Sequence, residues 1–94
     1  MEVRHIAYYN DIEDLKNFSK CTADEIIENY KKGLGHIYTP SVPMEYDTND
    51  FEEGFIKFST NKKYAVSMDL PNDINLLGKL HVCDFFIDIF EVIK

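Results

Sequence analysis

Positive charge is scarce in this chain: ten Lys and Arg face 17 Asp and Glu, for a net charge of −7. Nucleic-acid backbones and anionic lipid both need cationic groups to displace their counterions, so direct binding to either is not expected. A basic protein would be drawn toward such a surface.

Long apolar runs are also missing. The richest stretch, "CDFFIDIFEVI", is broken by Asp84, Asp88 and Glu91 and falls far short of the ~20 residues a membrane span requires. No charged n-region leads into an apolar h-region, so export is not indicated. Cys21 and Cys83 are the only thiols, and without export they are expected to stay reduced in the cytoplasm. The sequon at Asn17-Phe18-Ser19 is then a coincidence.

Catalytic and cofactor signatures are absent as well. There is no G-x-G-x-x-G, no Walker pattern and no G-x-S-x-G, and "GLGH" at 33–36 is better read as a helix stop. Paired zinc-ligand spacings do not occur. His81 and Cys83 would share one face of a strand, which makes a Cys–His dyad geometrically conceivable. The plainer reading makes Cys83 core and His81 its margin, because cysteine is among the most buried residue types. The acid pairs Asp24/Glu28, Asp84/Asp88 and Glu52/Glu53 read as wet helix or loop faces rather than acid–base couples. No enzyme, cofactor or metal is expected.

What the chain has is an apolar load of 45%, with six Tyr and seven Phe but no Trp. That is enough for one modest core in a chain of this length. Residues 1–94 are read as a single domain.

"EVRHIAYY" reads as a strand. "NDIEDLKNFSK" spaces Ile12, Leu15 and Phe18 at helical intervals, with acids in the first turn where they complement the helix dipole. "CTADEIIENYKKGLG" carries the capping-box pair Thr22 and Glu25 and a terminal Gly33. Pro40 and Pro43 impose an irregular or edge path on residues 36–54. "GFIKFST" and "KYAVSMDL" form a hairpin around "NKK". A further strand is expected through "KLHVC". The remaining C-terminal residues allow either helix or strand: Asp84, Asp88 and Glu91 recur at helical spacing, but their neighbours are aromatic or β-branched. The fold class is α+β, with two N-terminal helices packed on an antiparallel sheet of three to five strands.

One segment stands apart. "PSVPMEYDTNDFEEGF", residues 40–55, holds five acids between Glu45 and Glu53 with no base among them, and interleaves Tyr46, Phe51 and Phe55. As an EF-hand starting at Asp47 it fails, because Phe51, Glu52 and Phe58 stand where a ligand, the turn glycine and the bidentate acid belong. As a copy of a DNA strand it is too sparse when extended: at ~3.3 Å per residue its charges lie ~6.6 Å apart, against ~3.4 Å between phosphates. A second acidic row would be needed, and Asp24, Glu25 and Glu28 are the candidates.

As a recognition surface the segment is well composed, since aromatic anchors ringed by polar groups dominate interface energetics. A partner-binding surface is therefore expected from Glu45, Tyr46, Asp47, Asp50, Phe51, Glu52 and Glu53, joined by Asp24 and Glu28. The expected function is a small acidic inhibitor or regulator that occupies a basic site, such as one that binds nucleic acid, on another protein. Immunity proteins and phage-encoded blockers of host defence work in this way. The alternative is a self-assembling subunit, a homodimer for instance, with "FFIDIFEVI" offering a strand edge to its copy.

Overall fold

The computed structural model describes residues 1–76 and 85–94. The expected strand through "KLHVC" and the His81–Cys83 pair lie outside the described residues, as does Asp84.

Among the described residues, five strands form one antiparallel sheet: β1 (Glu2–Tyr9), β2 (Glu45–Asp47), β3 (Ile56–Phe58), β4 (Tyr64–Asp69) and β5 (Phe86–Val92), in the order β2-β1-β5-β4-β3. Helices α1 (Ile12–Phe18) and α2 (Ala23–Lys31) lie on one face. This is the α+β arrangement that the segregation of local signals predicts.

The ambiguous C-terminus is the central strand. β5 pairs with β1 on one side and β4 on the other, so "FFIDIFEVI" offers no free edge to a copy of the chain. The edges of the sheet are β2 and β3. Helical spacing of Asp88 and Glu91 misleads because, in a strand, residues three apart point to opposite faces. Each finds its own partner there: Asp88 meets His5, and Glu91 meets Arg4.

A bulge divides β1. His5 pairs with Phe90 and Ala7 with Ile89, so Ile6 and Ala7 together oppose one residue. Before the bulge, Val3 and His5 point away from the helices; after it, Ala7 and Tyr9 point toward them. One strand thereby serves two cores.

On the helical face, Ala7, Tyr9, Val66, Ile87 and Ile89 pack against Leu15 of α1 and Ile26 and Ile27 of α2. Fully burying each of the larger aliphatic side chains is worth about 1.5–3 kcal/mol. The other face holds a smaller core of Val3, Ala65 and Phe90, with Phe51, Ile56, Phe58 and Val92 packed around it.

Local chemistry explains the helix ends. The Thr22 hydroxyl accepts from the Glu25 N–H, and Glu25 accepts from the Thr22 N–H, which completes the capping box. Gly33 follows α2 at φ +72°, the left-handed turn that closes a helix. The side chain of Asp11, at the N-cap of α1, bonds none of that helix's amides. Its carboxylate instead accepts from the Tyr38 hydroxyl at 2.8 Å.

Candidate functional site

The acidic segment begins as β2, paired along β1 at the sheet edge, with Arg4 opposite Glu45 and Val3 opposite Tyr46. The Asp47 carboxylate then accepts the Asn49 N–H at 3.0 Å and starts a 3₁₀ turn over Thr48–Asp50. Past that turn the chain crosses the face opposite the helices, and Phe51 is its pin. The Phe51 ring meets Phe90 edge-on with centroids 5.8 Å apart, tilts against Tyr46 at 5.7 Å, and stacks on Phe55 at 6.1 Å. Phe51 is half-buried against the smaller core, while its neighbours Asp50, Glu52 and Glu53 are all exposed.

The structure therefore brings seven of the nine expected residues onto one segment: Glu45, Tyr46, Asp47, Asp50, Phe51, Glu52 and Glu53. Two of those acids are engaged within the chain: Glu45 lies 3.6 Å from Arg4, and Asp47 holds its own turn. Asp50, Glu52 and Glu53 form no ion pair among the described residues.

Asp24 and Glu28 stand elsewhere. Both belong to α2, on the helical side, with the sheet between them and Phe51. Asp24 accepts the Thr60 N–H at 2.8 Å and the Thr60 hydroxyl as well, fastening α2 to the β3–β4 turn. Glu28 lies 3.5 Å from Lys32 one turn along. Asp24 and Glu28 are thus engaged within the chain, by Thr60 and Lys32, and neither belongs to the 45–53 segment.

A belt of aromatics runs beside the acids. Tyr38 stacks on Tyr8, Tyr8 on His5, and His5 lies tilted against Phe90, which Tyr46 and Phe51 meet edge-on. Met44, Tyr46 and Phe55 remain exposed, at 51%, 36% and 40%, so apolar contact area lies on the surface among the carboxylates.

Sequence reasoning did not find what lies under the belt. A cavity of about 180 Å³ opens between His5, Tyr46, Phe51, Phe55, Ser67, Asp88 and Phe90. His5 Nε2 is buried and lies 2.9 Å from Asp88 Oδ1, yet among the described residues it makes no hydrogen bond. The Ser67 hydroxyl reaches Asp88 only at 3.5 Å. His5 and Asp88 come from opposite ends of the chain, and only the register of β1 on β5 unites them. The interleaved Tyr46, Phe51 and Phe55 were the one local signal.

A second cluster lies at the far end of β1. Donor atoms of Asp11, Asp14 and His36 fall within 4.8 Å of one another, the kind of grouping that can hold a metal. Here the groups hold each other: Asp14 Oδ2 lies 3.1 Å from His36 Nδ1 and accepts the His36 N–H at 2.8 Å. The hydrogen bond that the His36 ring gives to Asp14, and then the charges of Asp11 and Asp14, raise the His36 pKa. Nearby, burial pushes the Tyr9 hydroxyl up to about 12, and it donates to the Leu34 carbonyl at 2.8 Å. The cluster latches the 33–38 loop to α1.

No protein-family model matches the chain, and no curated protein or solved structure matches it either. Function has to be argued from the residues. Among the described residues, no helix is long and apolar enough to cross a membrane.

Proposed function

We propose that this chain is a small acidic binding protein, without catalysis of its own, that occupies a basic site on another protein. The observation that supports it is the build of residues 44–55. Asp50, Glu52 and Glu53 are exposed and unpaired among the described residues, and they share one pinned segment with exposed Met44, Tyr46 and Phe55. Carboxylates held this way can meet lysine and arginine that otherwise grip phosphate, while the aromatics supply contact area that sheds water. Inhibition would follow from occupancy, as for an immunity protein or a blocker of a nucleic-acid enzyme. Because Asp24 and Glu28 are engaged by Thr60 and Lys32, the reading rests on residues 44–55 and requires no close imitation of a DNA duplex.

Affinity capture from source-cell lysate at low and high salt tests it. The wild type should retain a basic protein at low salt and release it at high salt. The variant Asp50→Lys/Glu52→Lys/Glu53→Lys, with its fold checked by circular dichroism, should retain none. Retention that ignores both salt and the triple change overturns the reading.

A further inference from the structure

We propose that the cavity between Phe51, Phe55, Phe90 and the His5–Asp88 pair receives an arginine side chain of the basic partner. This rests on the function proposed above and names the group that anchors it.

Volume comes first. A water molecule's share of the liquid is about 30 Å³, so a cavity of about 180 Å³ has room for a side-chain head group rather than a single water. The walls are aromatic. Phe51 and Phe55 stack at 14° between ring planes, Phe90 stands edge-on to Phe51, and Tyr46 closes the side nearest β2. Aromatic faces attract cations, and guanidinium more readily than ammonium, because it is planar and sheds water more easily.

The floor is polar and under-bonded. Among the described residues, Asp88 receives no short hydrogen bond: the His5 nitrogen 2.9 Å away makes none, and Ser67 stands at 3.5 Å. A guanidinium brings five donors in a rigid fork, suited to a carboxylate with open acceptor sites and to the Ser67 oxygen beside it. An apolar side chain would instead cover Asp88 and the unpaired His5 nitrogen without satisfying either, which costs free energy. The mouth selects in the same sense. Asp50 and Glu52 flank Phe51 in the chain, and Glu53 lies two residues before Phe55, so an anion is repelled and a cation drawn in.

The test uses ¹⁵N-labelled protein and three hexapeptides of one design, carrying arginine, lysine or citrulline. Expected are saturable shifts at the amides of His5, Tyr46, Phe55, Ser67 and Asp88. Arginine should bind roughly fivefold more tightly than lysine, and citrulline, which lacks the charge, should not bind. Asp88→Asn should abolish the arginine preference. Phe55→Ala, at a residue 40% exposed whose loss should spare the fold, should do so too. The triple lysine variant of residues 50, 52 and 53 should weaken both cationic peptides and keep their order. Equal binding of arginine and lysine, with shifts confined to residues 50–53, overturns the arginine cavity and leaves the acidic-surface reading standing. Equal binding of citrulline overturns it as well. No binding by any peptide, together with salt-insensitive capture, removes both proposals.

Discussion

Oδ2 of the buried Asp14 accepts the backbone N–H of His36 at 2.8 Å and lies 3.1 Å from the same residue's Nδ1, so a single oxygen joins α1 to the 33–38 loop. Replacing Asp14 by Ala leaves that N–H without its partner. The expected loss is about 2 kcal/mol of unfolding free energy, the scale for a hydrogen bond to a charged group. Urea denaturation measures it, and an unchanged midpoint would show that the loop is held by other contacts.

The same contact sets a pH dependence. His36 has a raised pKa in the folded state, chiefly through its hydrogen bond to Asp14. A raised value means that the folded state holds the proton more firmly than the unfolded one. The stabilisation is complete below the unfolded value of about 6.5 and disappears as pH rises through the folded value. His36→Gln should therefore lower the Tm at about pH 6 and leave it close to wild type at about pH 9. A thermal-melt difference of the same size at both ends would contradict this.

Gly35 and Gly33 offer a matched pair. Both have positive φ, +81° and +72°, so alanine is strained at either position, by roughly 1–2 kcal/mol. At Gly35 a new Cβ would also come within 2.9 Å of Asp14 Oδ1 and of Tyr9 Cε1, whereas at Gly33 nothing lies within 4 Å. Gly35→Ala should consequently destabilise the protein clearly more than Gly33→Ala in parallel urea titrations. Equal effects would mean that backbone conformation alone matters there.

Asp24 titrates below its ordinary range because it accepts first from the Thr60 hydroxyl and then from the Thr60 N–H. A lowered value stabilises the fold above the unfolded value of about 3.9, and that stabilisation is lost as pH falls through the folded one. Thr60→Val removes the hydroxyl and keeps the amide. Its deficit in Tm should be present at about pH 6 and shrink toward about pH 2.

Cys21 should be a sluggish nucleophile. Burial, and then the charge of Glu25, raise its pKa, which keeps the thiol protonated. In a Cys83→Ser background, a disulfide reagent at about pH 8 should react more slowly with it than with free cysteine. Glu25→Gln preserves the capping pattern and should speed that reaction only in part.

Much of this architecture is local, and it was legible for that reason. Thr22 and Glu25 announce α2 by a reciprocal bond spanning three residues, and "NKK" between two β-rich runs announces the β3–β4 hairpin. Pro40 and Pro43 excluded a helix where the structure places a loop and the short edge strand β2. The C-terminal strand could not be decided locally, because Asp88 and Glu91 sit at helical spacing and only their distant partners His5 and Arg4 account for them. Nor could the bulge be read, since Ile6 carries no glycine or other mark of an inserted residue. Without it, strict alternation assigns Ala7 and Tyr9 to the same side as His5. The acidic segment was visible as a composition; the cavity behind it waited on strand register.

The half-step at Ile6 leaves the molecule two-sided in a practical sense. Were the same eight residues paired without the bulge, strict alternation would swing His5 and Val3 under the helices with Ala7 and Tyr9 and carry Arg4 outward in their place. Asp88 would lose its imidazole neighbour, and the Phe51 loop would lose the wall it leans on. A single insertion in one strand thus lets a scaffold and a grip be made from the same eight residues.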